Sequence, residues 1–211
     1  MTDTPVTSSA AVESPRALNV PNALTVLRLV LVPVFAYLLV HSANEASGGA
    51  AWRYAAAAVF AFASFTDFVD GDYARRRGQV TPFGQVADPI ADKALIGTAL
   101  IGLSWLGELP WWVTTVVLVR EIGVTALRFW VIRFGIIPAS RGGKAKTVLQ
   151  LLAVLLYLLP LSGDLIGTLR VATISAAVVV TIVTGLDYVV RAVRLRRGAL
   201  APKASESGGA S

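Results

Sequence analysis

Cysteine is absent from this chain, and histidine and methionine occur once each. Without cysteine there is no disulfide, no thiol nucleophile and no thiolate metal site. The single histidine, His41, falls at the outer end of the first apolar run, far from the aspartates, and no Ser-His-Asp constellation is visible, so a covalent enzyme intermediate has no obvious nucleophile. Charge is scarce as well. Only 15% of the 211 residues are charged, against about 25% in ordinary soluble domains, which argues against water as the main solvent. What the chain has instead is apolar surface: 55% of residues are hydrophobic and the mean hydropathy is +0.66. The net charge of +6 would suit a nucleic-acid partner in a soluble protein. In a chain this apolar, basic residues read as topology signals and contacts to anionic lipid, and no nucleic acid is expected.

Residues 1–15 are rich in Ser, Thr, Ala and Pro and are expected to be disordered, as is the small, polar tail 198–211. The N-terminal stretch lacks the basic n-region and adjoining apolar run of a signal peptide. Between the two tails, residues 16–197 read as one membrane domain with no internal repeat. Apolar runs fall at about Leu24–His41, Trp52–Val69, Ile90–Leu106, Trp111–Val131, Val148–Leu161 and Val171–Val190. A bilayer core needs roughly 20 apolar residues per helix, so the expected fold is an all-α integral membrane protein with six transmembrane helices. Lys and Arg crowd one side of these spans, from Arg16 and Arg75–Arg77 to Arg191–Arg197, while Arg53 and Arg170 fall on the other. That asymmetry puts both termini and the loops near 71–89 and 134–146 in the cytoplasm of a multi-pass protein of the cell membrane. Trp52, Trp105, Trp111 and Trp112 cluster at the opposite interface, as an aromatic belt does.

Ionisable residues at membrane depth are expensive and mark function. Here they gather at the cytoplasmic ends of spans one to four. Asp67 and Asp70 are three apart, Asp88 and Asp92 four apart, so each pair shares a helix face. Two such ends facing one another bring four carboxylates together. They cannot all stay ionised without cations, and hard divalent ions such as Mg²⁺ or Mn²⁺ take oxygen ligands and bridge carboxylates to phosphates. A pair of such ions suits in-line phosphoryl displacement. Gly71 and Gly84 leave room beside the carboxylates for a phosphate or nucleotide. The bland alternative, solvated loop charges, fits Asp72, which lies one step off the face.

The run Asp67-x2-Asp70-Gly71-x2-Ala74-Arg75-x8-Gly84-x3-Asp88-x3-Asp92 resembles the signature of the CDP-alcohol phosphatidyltransferase family and matches it at every fixed position. The resemblance implies six transmembrane helices, a homodimer, a cytoplasm-facing polar cavity and two divalent cations. It also implies roles. Asp67, Asp70 and Asp88 would be metal ligands. Asp92 would contact the second metal and act as general base. Thr66, Gly71, Ala74, Arg75 and Gly84 would line the CDP site. Asn22, Thr25 and Arg28, on about one face of the first span, resemble the family's opening N-x2-T-x2-R and would bind the CDP-lipid. Val119–Arg128 and Pro138–Thr147 look like the branch of the family whose acceptor is glycerol 3-phosphate.

The residues agree with that branch on physical grounds. A phosphorylated acceptor needs cations near the metal site, and Arg120, Arg128, Lys144 and Lys146 lie at the expected membrane face. Each has an alternative: Lys144 and Lys146 as ordinary positive-inside residues, Arg120 or Arg128 as an ion-pair partner of Glu121. The implied reaction moves the phosphatidyl group of CDP-diacylglycerol onto glycerol 3-phosphate by direct displacement, releasing CMP. Another acceptor (inositol phosphate, serine or phosphatidylglycerol) would use the same aspartates. Two rivals of other kinds are weaker. An intramembrane prenyltransferase needs two separated Asp-rich motifs, and a divalent-cation transporter tends to repeat its site near the midplane.

Overall fold

The computed structural model describes the backbone of residues 20–44, 49–77, 82–131 and 141–200, and the side chains within 23–44, 49–66, 90–131 and 145–197. The described residues form six helices and no strand: α1 (Val20–His41), α2 (Gly49–Arg77), α3 (Pro82–Trp105), α4 (Trp111–Val131), α5 (Arg141–Leu158) and α6 (Asp164–Leu200). The terminal extensions at 1–15 and 201–211, and the loop around 134–140, lie outside the described residues.

The helices outrun the apolar runs from which they were expected. α2 continues past Val69 through Gly71 to Arg77, and α3 opens at Pro82, so the loop expected over 71–89 shrinks to a few residues. Ala74 and Arg75–Arg77 are good helix formers, and Pro82 at the first turn of α3 gives up an N–H that has no intrahelical partner there. α6 starts at Asp164, whose carboxylate suits the helix N-terminus, and runs to Leu200, three residues into the tail expected to be loose.

Each helix packs against several others. α1 lies along α2 and α3, α5 along α6, and α4 along α6, while α3 also touches α4 and α5. The core is built from Phe35, Leu39, Phe60, Leu95, Leu100, Leu103, Leu109, Val113, Val117 and Leu158, with the Phe35 and Phe60 rings 5.7 Å apart. Small residues let the helices approach. Ala56, Ala57, Ala63, Ala99, Ala153 and Ala177 are all buried, and Gly102 sits so close to α1 that an added Cβ would fall 2.5 Å from a Leu39 methyl. Small-residue seams of this kind are typical of helix packing in lipid. The large apolar side chains Phe65, Trp105, Trp112, Ile122, Phe129 and Leu165 point outward. Among the described residues, two helices are long and apolar enough to cross a membrane by themselves, Ala23–His41 and Asp164–Arg197, and Ala145–Leu158 is a shorter apolar stretch.

The two ends of the bundle differ in how they spend their arginines. α5 stops at Leu158 because Pro160 brings no N–H and disfavours helix before it. That leaves the orphan carbonyls every helix end has. Arg53 donates to the carbonyls of Tyr157 (2.9 Å) and Leu158 (3.0 Å) and pairs with Glu108. Arg170 donates to the carbonyls of Leu156 (2.9 Å), Leu159 (2.6 Å) and Leu161 (3.1 Å). The two cations on the sparse side of the charge asymmetry are thus caps for one helix end. Close by, α3 turns into α4 through Gly107 at φ +76°, where the Glu108 and Leu109 amides return to the Leu103 carbonyl. A non-glycine residue would be strained at that φ.

Candidate active site

The opposite end of the bundle gathers charge. Asp92 stands near the middle of α3, and its carboxylate feels Lys93 beside it, Lys146 of α5 and Arg28 of α1. Arg28 is buried, as is Thr25 three residues before it on α1, and both side chains are engaged. Thr66, near the carboxy-terminal third of α2, is buried and turns its hydroxyl back to the Ala63 carbonyl at 2.8 Å. Helices α1 and α5 therefore place Arg28 and Lys146, both members of the sequence-derived set, near Asp92 of α3.

A second layer lies next to it. Lys146 is buried and bonds the Glu121 carboxylate of α4. The same carboxylate oxygen has Arg120 at 3.4 Å, and Arg120 also donates to the Thr184 hydroxyl of α6 at 3.0 Å. The guanidinium crosses α6 at Gly185, where an added Cβ would come within 3.1 Å of the Arg120 Cγ. Glycine at 185 is what lets the arginine lie flat against that helix. The charges of Arg120, Lys93 and Arg128 act on one another, although Arg128 itself is exposed.

Of the residues singled out from sequence, Thr25, Arg28, Thr66, Asp92, Arg120, Arg128 and Lys146 can thus be placed, and all fall at the same end of the bundle. The side chains of Asn22, Asp67, Asp70, Gly71, Ala74, Arg75, Gly84, Asp88 and Lys144 lie outside the described residues. Their backbone is helical throughout, so the three- and four-residue spacings of the aspartates are spacings along continuous helices in contact with one another. The alternative pairing of Glu121 resolves mainly towards Lys146, with Arg120 second. His41 is remote from this layer; its Nδ1 faces the Tyr37 carbonyl at 3.1 Å and its ring rests on Tyr37 and Trp52.

An open groove of about 650 Å³ lies at the other end, lined by Arg53, Glu108, Tyr157, Pro160 and Arg170. Its cations are occupied with the end of α5, and it holds no carboxylate pair.

The model of the CDP-alcohol phosphatidyltransferase family matches residues 18–183. The chain belongs to this family. Among curated members, a probable phosphatidylglycerophosphate synthase of Mycobacterium tuberculosis is 54% identical over 179 residues, covering 85% of this chain and 84% of that protein. A CDP-diacylglycerol–glycerol-3-phosphate 3-phosphatidyltransferase of Pseudomonas fluorescens is 41% identical over 154 residues, with 67% and 72% covered. Another of the same name from Bacillus subtilis is 36% identical over 181 residues, with 81% and 93% covered. This phosphatidyltransferase is therefore an enzyme of phospholipid synthesis, from a membrane-associated family that depends on divalent cations. Membership removes the prenyltransferase and transporter readings.

Sequence reasoning missed several neighbours of the site. Thr184 and Gly185 lie in the last span, which offered no motif. Gln150 and Thr181 were passed over within apolar runs. Only Gln150 carried a signal, an amide four residues after Lys146 in an otherwise apolar helix.

Proposed function

We propose that this protein transfers the phosphatidyl group of CDP-diacylglycerol to glycerol 3-phosphate, giving phosphatidylglycerophosphate and CMP. The observation that carries the reading is the convergence of Asp92 and Arg28 with the Lys146–Glu121–Arg120 layer at one end of the bundle, in a chain whose curated relatives carry that activity in their names. A carboxylate able to take a proton stands beside cations able to take a phosphate.

In this reading Asp92 accepts the proton of the acceptor's hydroxyl, and that oxygen attacks the phosphorus that bears the diacylglycerol. The bond to the cytidylate oxygen breaks and CMP leaves. Arg28 and Arg75 hold the diphosphate, with Asn22, Thr25, Thr66, Gly71, Ala74 and Gly84 shaping its pocket. Arg120, Arg128, Lys144 and Lys146 hold the acceptor phosphate. Positioning and electrostatics do most of what phosphoryl transfer asks of a protein. Asp67, Asp70, Asp88 and Asp92 are a hard-oxygen donor set on two helices in contact, which fits two Mg²⁺ or Mn²⁺ ions. Bound there, the ions neutralise the carboxylates and the diphosphate.

The reading extends to the membrane. Six spans, both termini in the cytoplasm and a homodimer complete it, with the site opening to the cytoplasm at the end where α6 carries Arg191, Arg194, Arg196 and Arg197. The test is direct. Purified protein is given CDP-diacylglycerol with glycerol 3-phosphate, serine, inositol phosphate or phosphatidylglycerol in turn, and CMP release is measured. Glycerol 3-phosphate is expected to support release; release with another acceptor alone would replace the proposed substrate.

A further inference from the structure

Below the ion-paired layer lies a second polar layer that the proposed reaction has not used. Gln150 follows Lys146 by four residues on α5, and Thr181 precedes Thr184 by three on α6. Each therefore shares a helix face with a member of the acceptor layer, one turn deeper. Because α5 and α6 are consecutive helices packed along one another and run in opposite directions, both steps descend the same way into the bundle. Gln150 is 1% exposed and Thr181 is fully buried. Neither Nε2 nor Oε1 of Gln150 has a hydrogen-bond partner among the described residues, nor does Oγ1 of Thr181.

Buried polar groups are nearly always paired, and a carboxamide with both ends unmade is the costlier case. Leucine would fill a helix seam at this depth without that penalty. The unmade bonds also define what would satisfy them. Gln150 Nε2 needs an acceptor and Oε1 needs a donor, while the threonine hydroxyl can serve either way. A dianionic phosphate offers acceptors only. A neutral hydroxyl offers both, and one lies two carbons from the phosphorus-bound oxygen of glycerol 3-phosphate, between its phosphate and its attacking group.

We propose that Gln150 and Thr181 form the floor of the acceptor subsite and bind the secondary hydroxyl of the polyol phosphate, making Gln150 a specificity-determining residue. This rests on the acceptor reading given under Proposed function. Lys146 and Arg120 take the charge of the acceptor, and the layer beneath them reads its polyol. A site built to bond a hydroxyl discriminates strongly against an analogue that lacks it, since the protein's own groups are then left unpaired.

The test compares glycerol 3-phosphate with 3-hydroxypropyl phosphate, which keeps the phosphate and the attacking hydroxyl and lacks only the secondary one. Wild-type protein should favour glycerol 3-phosphate in kcat/KM by about tenfold to a hundredfold, the worth of one or two buried hydrogen bonds. Gln150→Leu should collapse that ratio towards one. Its thermal midpoint should not fall, because the substitution removes unmade bonds. Thr181→Val, close in shape, should move the ratio the same way by a smaller factor and keeps the idea open to refutation if Gln150→Leu does not fold. A wild-type protein indifferent to the secondary hydroxyl, or variants that keep the wild-type ratio, would overturn the proposal and leave Gln150 to a buried water. Absence of CMP release with glycerol 3-phosphate in the wild type would instead overturn the acceptor reading, and this inference with it.

Discussion

Replacing Lys146 with alanine should separate binding of the acceptor from the stability of the bundle. The ammonium is 7% exposed and pairs with Glu121, itself 17% exposed. Two losses follow from its removal. The acceptor phosphate loses a charge-assisted hydrogen bond at a desolvated site, about 1.5–3 kcal/mol, which raises the glycerol 3-phosphate KM roughly ten- to a hundredfold. Glu121 also loses the nearer of its two cations. Stranding a buried charge outright costs roughly 3–5 kcal/mol. Arg120 still stands 3.4 Å from the carboxylate, so the stability loss should be smaller, about 1–2 kcal/mol on the same scale. Initial rates with each substrate varied, together with thermal unfolding in detergent, read the two effects apart. The KM for CDP-diacylglycerol should move little. A double variant, Lys146→Ala with Glu121→Gln, should recover stability while its acceptor KM stays high. A normal acceptor KM in Lys146→Ala would refute the assignment. Recovery of KM in the double variant would show that Lys146 acts only through Glu121.

Three further outcomes follow from the same geometry. Asp92→Asn should lower kcat far more than it weakens CDP-lipid binding, since a base acts mainly in the transition state; lost nucleotide binding with normal turnover at saturation would contradict the role. Chelation with excess EDTA should abolish CMP release and added Mg²⁺ or Mn²⁺ should restore it, because the proposed cluster of four carboxylates needs neutralising; full turnover in EDTA would remove the metal site. Arg170→Ala, at the other end of the bundle, should destabilise by about 2–3 kcal/mol, as carbonyls at the end of α5 lose their donor. Both KM values should stay normal in that variant, and an unchanged thermal midpoint would show that water caps α5 equally well.

Hydropathy finds the part of a helix that meets lipid, and this bundle shows where that differs from the helix itself. The apolar run of the second span stops at Val69, but nothing in Gly71–Arg77 breaks a helix, and α2 carries on. The fifth run begins at Val148 while α5 begins at Arg141, since polar residues at a helix start change its solvent and not its backbone. Polar positions were legible where a charge stood inside an apolar run: Arg28, Asp92 and Arg120 announce themselves by their cost, while Lys146, just outside the fifth run, also read as an ordinary positive-inside residue. Partners across helices were not legible. Glu121 had several cations in reach along the chain, and its pairing with Lys146 depends on how α4 and α5 meet. Thr184 and Gly185 look like ordinary residues of an apolar span until Arg120 is laid across them from α4. That is a fact about packing between segments some sixty residues apart, and no local pattern encodes it.

The two ends of α5 show why polar residues in such a bundle must be read by what they leave unmade. At its carboxy-terminal end Arg53 and Arg170 have five hydrogen bonds to backbone carbonyls between them, and Arg53 has Glu108 besides. Those cations close a helix terminus, which needs no ligand to account for their presence. Along the first turns of the same helix, Lys146 shares its carboxylate with Arg120, and Gln150 one turn deeper has no partner for either end of its amide among the described residues. Cations that outnumber the described carboxylates beside them, followed by an amide with no described partner, form an arrangement that a bound polar group would stabilise. Charge counting alone treats both ends as clusters of basic residues. Hydrogen-bond accounting separates a cap from a charged layer with unmade bonds beneath it, and that layer lies at the end of the bundle that holds Asp92.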